Sequence, residues 1–251
     1  MSRPPARPDV WARLRGATDA RIGLGRAGAA LPTTAMLALQ FAHARARDAV
    51  HAALPVEAIQ ADLAGFETLV VDSQADGRLS YLARPDLGRR LAIADAARLP
   101  RVDFDLIIVL ADGLSAEAVA VNAPPLVRAL AARLGGWAIG PIVIARQGRV
   151  ALGDEIGERL GTRAVVVLIG ERPGLSAADS LGAYITWDPA VGRLDAERNC
   201  VSNIRAGGLS TEEAAGRIAW VLGEARRLRL TGVALKDGYR PADALAAPEA
   251  G

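Results

Sequence analysis

Cysteine occurs once in the 251-residue chain, at Cys200, and histidine twice, at His43 and His51. A single cysteine excludes an internal disulfide framework, a Cys-based zinc ribbon and an iron–sulfur cluster held within the chain. Two histidines exclude a His-rich metal site. They lie on one predicted helix, too far apart for a metal pair, and read as core or interface residues. Lysine is equally scarce, with Lys236 the only one. The 30 basic residues nearly balance 28 acidic ones and the two signs are interspersed, so no polybasic tract with interleaved aromatics points to nucleic acid. Aromatic residues are only 4% of the chain. No run approaches the roughly 18 uninterrupted apolar residues of a transmembrane helix. The opening MSRPPARPDVWARLR lacks the apolar stretch of a secretory signal, so the expected location is the cytoplasm.

What is abundant is apolar aliphatic sequence. Hydrophobic residues make up 51% and charged residues 23%, enough for a packed core. Residues 1–9 are rich in proline and arginine and read as mobile. The run ARIGLGRAGAALPT is loop-like around its glycines. Residues 34–54 form an alanine-rich helix candidate capped near Thr33 or Thr34. Beyond residue 66, short Val- and Ile-rich runs alternate with helical segments. The strand candidates are Thr68–Asp72, Leu106–Ala111, Ile139–Ala145, Ala164–Gly170 and, more weakly, Ala183–Trp187. The helix candidates are Asp86–Leu99, Ser115–Asn122, Pro125–Leu134 and Gly153–Leu160, with Pro124 and Pro125 splitting the middle pair. A last helix spans 211–229. Ser210 and Glu213 have capping-box spacing, and Ala214, Ile218, Val221, Ala225 and Leu228 form one apolar stripe. The predicted fold is therefore α/β and Rossmann-like: a largely parallel sheet covered by helices, with an N-terminal helical extension. The predicted organisation is an extension over 1–64, an α/β domain over 65–237 and a flexible tail over 238–251.

Gly23, Gly25 and Gly28 match G-x-G-x-x-G. The dinucleotide fingerprint needs a strand before it and a helix after it. Here the preceding residues are RGATDAR and Pro32 follows, so the glycines read as a tightly packed backbone path. In a parallel sheet, ligands bind beyond the carboxyl ends of the strands. That rule selects the residues after each run: Asp112–Ser115, Arg146–Asp154, Glu171–Ser176 and Arg198–Arg205. Each has a plainer role as well. Asp112 could cap the next helix, Glu171 could pair with Arg172 or another arginine, and Cys200 could be a small buried apolar group. No G-x-S-x-G elbow, P-loop or H-E-x-x-H is present, so no catalytic residue and no metal ligand is expected in this chain. From the residues alone, the reading stops at a cytoplasmic α/β binding domain with a helical appendage. A nucleotide-binding oxidoreductase and a pure scaffold are the competing classes.

Eight stretches, in order, resemble the small (light) subunit of ethanolamine ammonia-lyase. They are LRGATDARIGLGRAGAALPT ending at Thr33, FAHARARDAVH at 41–51, YLARPDLGRRL at 81–91, ADGLSAEAV at 111–119, GRVALGDEIGERLG at 148–161, LIGERPGLSAADSLGAY at 168–184, ERNCVSNIR at 197–205 and TGVALKD at 231–237. The resemblance covers residues 12–237. It implies a subunit of an adenosylcobalamin-dependent radical lyase that converts ethanolamine to acetaldehyde and ammonia. It implies a large-subunit partner in a hetero-oligomer, whose barrel holds the substrate and the radical. The small subunit then covers the cobalamin at the subunit interface. Three cofactor contacts carry over: Val150 in the RVALGD stretch, Glu171 in GERPG and Cys200 in RNCVSN. The D-x-H-x-x-G signature of chains that ligate cobalt through histidine is missing at Asp48–His51, so the cofactor is expected to keep its own base on the metal. Some members carry longer leaders that address the enzyme to a bacterial microcompartment, which is the alternative location to the open cytoplasm.

Overall fold

The computed structural model describes residues 10–101 and 104–240. The mobile segment expected at 1–9, and all but the first three residues of the expected tail, lie outside them. In chain order the elements are α1 (Val10–Arg15), α2 (Thr33–His51), α3 (Val56–Asp62), β1 (Thr68–Asp72), α4 (Arg78–Ala83), a 3₁₀ turn at Leu87–Arg89, α5 (Ile93–Arg98), β2 (Leu106–Ala111), α6 (Ala116–Arg133), β3 (Ile142–Arg146), α7 (Leu152–Leu160), β4 (Ala164–Gly170), β5 (Leu181–Trp187), a 3₁₀ turn at Asp195–Glu197, β6 (Asn199–Ile204) and α8 (Thr211–Leu228). Among the described residues, no helix is long and apolar enough to cross a membrane.

The strands form one six-stranded sheet in the order β1-β3-β2-β4-β5-β6. The first four are parallel. β5 runs antiparallel to β4, and β6 antiparallel to β5. The α/β class and the largely parallel core agree with the sequence. The sheet is nevertheless mixed, which departs from a strict Rossmann arrangement. The LIIVLA and AVVVLIG runs are buried along their whole length, as strands covered on both faces must be. Their side chains alternate between two clusters. Leu106, Ile108 and Leu110 face α6 and α8, while Ile107, Val109 and Ala111 face α7. The first cluster also takes in Leu54, Val56, Ile59 and Leu63 from around α3.

Several expectations change. β3 begins at Ile142, not Ile139, whose only pairing is an isolated bridge to Leu106. The helix expected over 86–99 is a 3₁₀ turn followed by the six residues of α5. α6 is one helix running through both Pro124 and Pro125. An interior proline costs about 3 kcal/mol. The apolar row of Ala123, Leu126, Val127 and Leu130, fully buried against the sheet, outweighs that preference for a break. Residues 199–204, read as loop, form β6, because pairing with β5 satisfies backbone that the polar sequence NCVSNI does not mark as strand. In α8, Ser210 accepts from the Glu213 N–H at 3.3 Å. Ala214, Ile218, Val221 and Ala225 are buried, but Leu228 at the end of the stripe is exposed. His43 and His51 are exposed, so neither is a core residue.

Candidate functional site

The carboxyl ends of β2, β3 and β4 meet at one edge of the sheet. A cavity of about 480 Å³ opens there, lined by Tyr81, Leu114, Arg149, Val150, Glu171 and Tyr184 among others. Val150 comes from the β3–α7 turn and Glu171 from the residue that follows β4. The strand-end rule thus locates two of the three expected contacts in one concavity.

Cys200 reaches the site differently. It lies within β6, opposite Tyr184 of β5, not in a loop. It is exposed and lines a neighbouring hollow with Ser202 and Asn203. The reading of Cys200 as core filler fails because β6 packs its core side chains through Val201 and Ile204, which are buried, and leaves Cys200 exposed. On the α7 side the apolar cluster ends at β4 and the ring of Tyr184. Cys200 and Ser202 therefore face outward beside the cavity. Tyr184 and Cys200 are cross-strand neighbours in the β5–β6 pair. Loss of water around the sulfur raises the thiol above its ordinary value, and the Glu171 charge adds to this. Burial pushes the Tyr184 phenol up to about 12. Both groups are therefore protonated at neutral pH.

Among the described residues, Glu171 pairs with no arginine. Its Oε2 accepts from the Ser180 hydroxyl at 2.5 Å and from the Asn203 N–H at 3.4 Å. Among the described residues its Oε1 takes no hydrogen bond. Gly182 makes room for it: a Cβ there would sit 2.9 Å from Oε1. The Asn203 contact joins the Glu171 loop to the end of β6, the strand that carries Cys200.

Behind the cavity lies a polar cluster that the sequence indicated only in part. Asp112 is 1% exposed. Its carboxylate accepts from the Gln147 and Gly148 N–H groups, each at 3.0 Å. The helix start is instead capped by Ser115, whose hydroxyl accepts from Ala118. Arg78 lies 3.6 Å from Asp112 and 4.7 Å above the Tyr81 ring, and Arg149 lies 4.5 Å from the same ring. Desolvation pushes the Tyr81 phenol up to about 12 and the Asp112 carboxyl up to about 6, against the pull of the N–H groups and Arg78. Tyr81 and Tyr184 were missed as site residues. Each stands at the end of a stretch that carried the resemblance, but only the fold brings both rings to one cavity.

The Gly23–Gly28 run does not follow a strand. Its Gly23 has φ +57 and lies where a Cβ would strike the Trp11 ring, the tight packing expected of it. Among the described residues, no three His, Cys, Asp or Glu side chains are grouped to hold a metal ion.

The model of the ethanolamine ammonia-lyase light chain matches residues 8–236. The chain belongs to that family. Curated relatives agree. It is 54% identical over 245 residues to the ethanolamine ammonia-lyase small subunit of Azotobacter vinelandii, covering 94% of this chain and 91% of the relative. It is 53% identical over 241 residues to that of Bradyrhizobium diazoefficiens, covering 93% and 92%. The small subunit of Xanthomonas campestris strain ATCC 33913 is 52% identical over 249 residues, covering 94% and 91%. Within the light-chain family, then, this member places its cavity at the parallel strand ends and leaves Cys200 and Ser202 of β6 exposed.

Proposed function

We propose that this chain is the small subunit of an adenosylcobalamin-dependent ethanolamine ammonia-lyase, and that the cavity and the exposed Cys200 side of β6 cover the cofactor where a large catalytic subunit meets it. The observation that carries this reading is Glu171, which lines a cavity with Val150 and Tyr184 and whose Oε1 takes no hydrogen bond among the described residues. An acceptor beside a half-buried apolar side chain suits a ligand with an apolar ring rimmed by amides. Val150 supplies apolar contact, Glu171 accepts from amide N–H groups, and Cys200 packs as a small polarisable group against the ring's edge. Gly182, Cys200 and Ser202 keep the face low enough for a broad, flat group to approach.

Bound adenosylcobalamin supplies the radical chemistry that turns ethanolamine into acetaldehyde and ammonia. The residues of this chain bind, orient and exclude water, and none acts on the substrate, which the large subunit holds. We assign residues 1–64 to an extension that meets the partner, 65–237 to the cobalamin-contacting domain and 238–251 to a tail. Met36, Leu37 and Phe41 support the first assignment, since they leave α2 with an exposed apolar side. The complex is assigned to the cytoplasm, with a bacterial microcompartment as its alternative location.

The test uses the two-subunit complex. Glu171→Ala weakens adenosylcobalamin binding while subunit assembly is unchanged. Intact affinity with impaired assembly would support the pure scaffold instead. Ethanolamine deamination by the isolated chain at the rate of the complex would refute the division of labour.

A further inference from the structure

We propose that Asp112 is a positioning residue: its buried carboxylate templates the Gln147–Gly148 turn and so holds Arg149 and Val150 in place for the cofactor. The proposal rests on the reading of the cavity given above. Asp112 itself does not line the cavity. It stands behind it, at the end of β2, while the two residues that follow it, Gly113 and Leu114, do line it.

Three features point to templating. Gln147 has φ +54, a left-handed conformation uncommon for a residue with a side chain. Such a conformation persists only where its surroundings enforce it. Second, the Gln147 and Gly148 N–H groups both converge on the one carboxylate, each at 3.0 Å. Successive N–H groups turned to one side form a concave site for an anion, and Asp112 fills it from within the chain. Third, the turn is bracketed from its other sides. Tyr81 donates to the Gly148 carbonyl at 3.3 Å and the Arg149 N–H donates to the Gly88 carbonyl at 2.8 Å. Arg78 donates to Gln147 Oε1 at 3.3 Å and also to the Val50 carbonyl of α2. Without the carboxylate, two buried N–H groups lose their acceptor and the left-handed residue loses its main restraint. Val150, two residues beyond the clamped Gly148, then shifts or becomes mobile.

The test is made on the assembled complex with Asp112→Asn, which keeps one acceptor oxygen and places an NH₂ group against the other N–H. The dissociation constant for adenosylcobalamin rises on the order of ten-fold. Activity at saturating cofactor is retained, so KM for the cofactor moves and kcat does not. Hydrogen exchange speeds up at residues 147–150 while β2 and β4 stay protected. Gln147→Val attacks the same turn without touching the buried carboxylate, since a β-branched residue resists positive φ. It weakens cofactor binding in the same way, which keeps the test decisive if Asp112→Asn does not fold. Unchanged cofactor affinity in Gln147→Val, or in a folded Asp112→Asn, overturns the proposal. Val150→Asp and Glu171→Ala separate it from the underlying reading. If those two also leave affinity unchanged, the cavity is not the cofactor site. If they lower it while the turn variants do not, only the positioning role fails.

Discussion

The pair Asp154–Arg198 offers the sharpest energetic test of how the site is held. Asp154 lies in α7 and Arg198 just before β6, two residues ahead of Cys200. Their side chains are 1% and 2% exposed and meet at 2.5 Å. The same guanidinium donates to Thr186 Oγ1 at 3.1 Å and to the Arg193 carbonyl at 2.7 Å. The bonding is incomplete: among the described residues Asp154 Oδ2 and Arg198 Nε have no hydrogen-bond partner, although Nε lies 3.6 Å from the exposed Asp195 carboxylate. Burial holds the Asp154 carboxyl above its ordinary range despite the adjacent arginine, so desolvation outweighs the attraction. Removing one partner strands the other charge in the interior, which costs about 3–5 kcal/mol. Removing both relieves the desolvation, and well-packed apolar replacements of similar volume are often neutral or stabilising. Asp154→Leu and Arg198→Met should therefore each lower stability by about 3–5 kcal/mol, and the double variant should recover to within about 1 kcal/mol of the parent. Urea unfolding followed by circular dichroism, run as a double-mutant cycle, measures all four proteins. Single variants costing less than about 1 kcal/mol, or a double variant equal to the sum of the singles, would refute the assignment of a desolvated, mutually dependent pair.

Other expected outcomes follow from the site. Gly182→Val places a Cβ 2.9 Å from Glu171 Oε1 and forces the carboxylate to shift, so equilibrium dialysis of the complex should show weaker adenosylcobalamin binding; undiminished binding would mean that Glu171 has another home. Asp112 titrates near 6 in the folded chain against an ordinary 3.8, so the folded state binds its proton more tightly than the unfolded one. Its contribution to stability is greatest below about pH 4 and is lost as pH rises through about 6, a change of about 3 kcal/mol. Asp112→Asn lacks that term, so its stability relative to the parent should improve from pH 4 to pH 7, and the opposite slope would contradict the burial argument. Cys200 is exposed but its thiol is raised, so iodoacetamide should label it slowly at pH 7 and faster at pH 9. Adenosylcobalamin should protect it in the complex, whereas equal labelling with and without cofactor would remove Cys200 from the contact surface.

The sequence by itself determined the α/β class and most of the sheet, because strands buried on both faces must be continuous apolar runs and β2 and β4 are. It also determined that ligand chemistry belongs at the strand ends, where Val150 and Glu171 follow β3 and β4. Tertiary structure decided what local pattern could not express. NCVSNI has no apolar period on its outward face, so only pairing with β5 makes it β6 and turns Cys200 outward. Pro124 and Pro125 argue locally for two helices, and packing on the sheet makes one. Asp112 reads as a helix cap from its neighbours in sequence. The fold brings it the N–H groups of Gln147 and Gly148, 35 and 36 residues away, and only that approach makes it the carboxylate behind the cavity. Periodicity and propensity act over a few residues, whereas hydrogen-bond satisfaction and burial are settled between segments that meet only when the chain is folded.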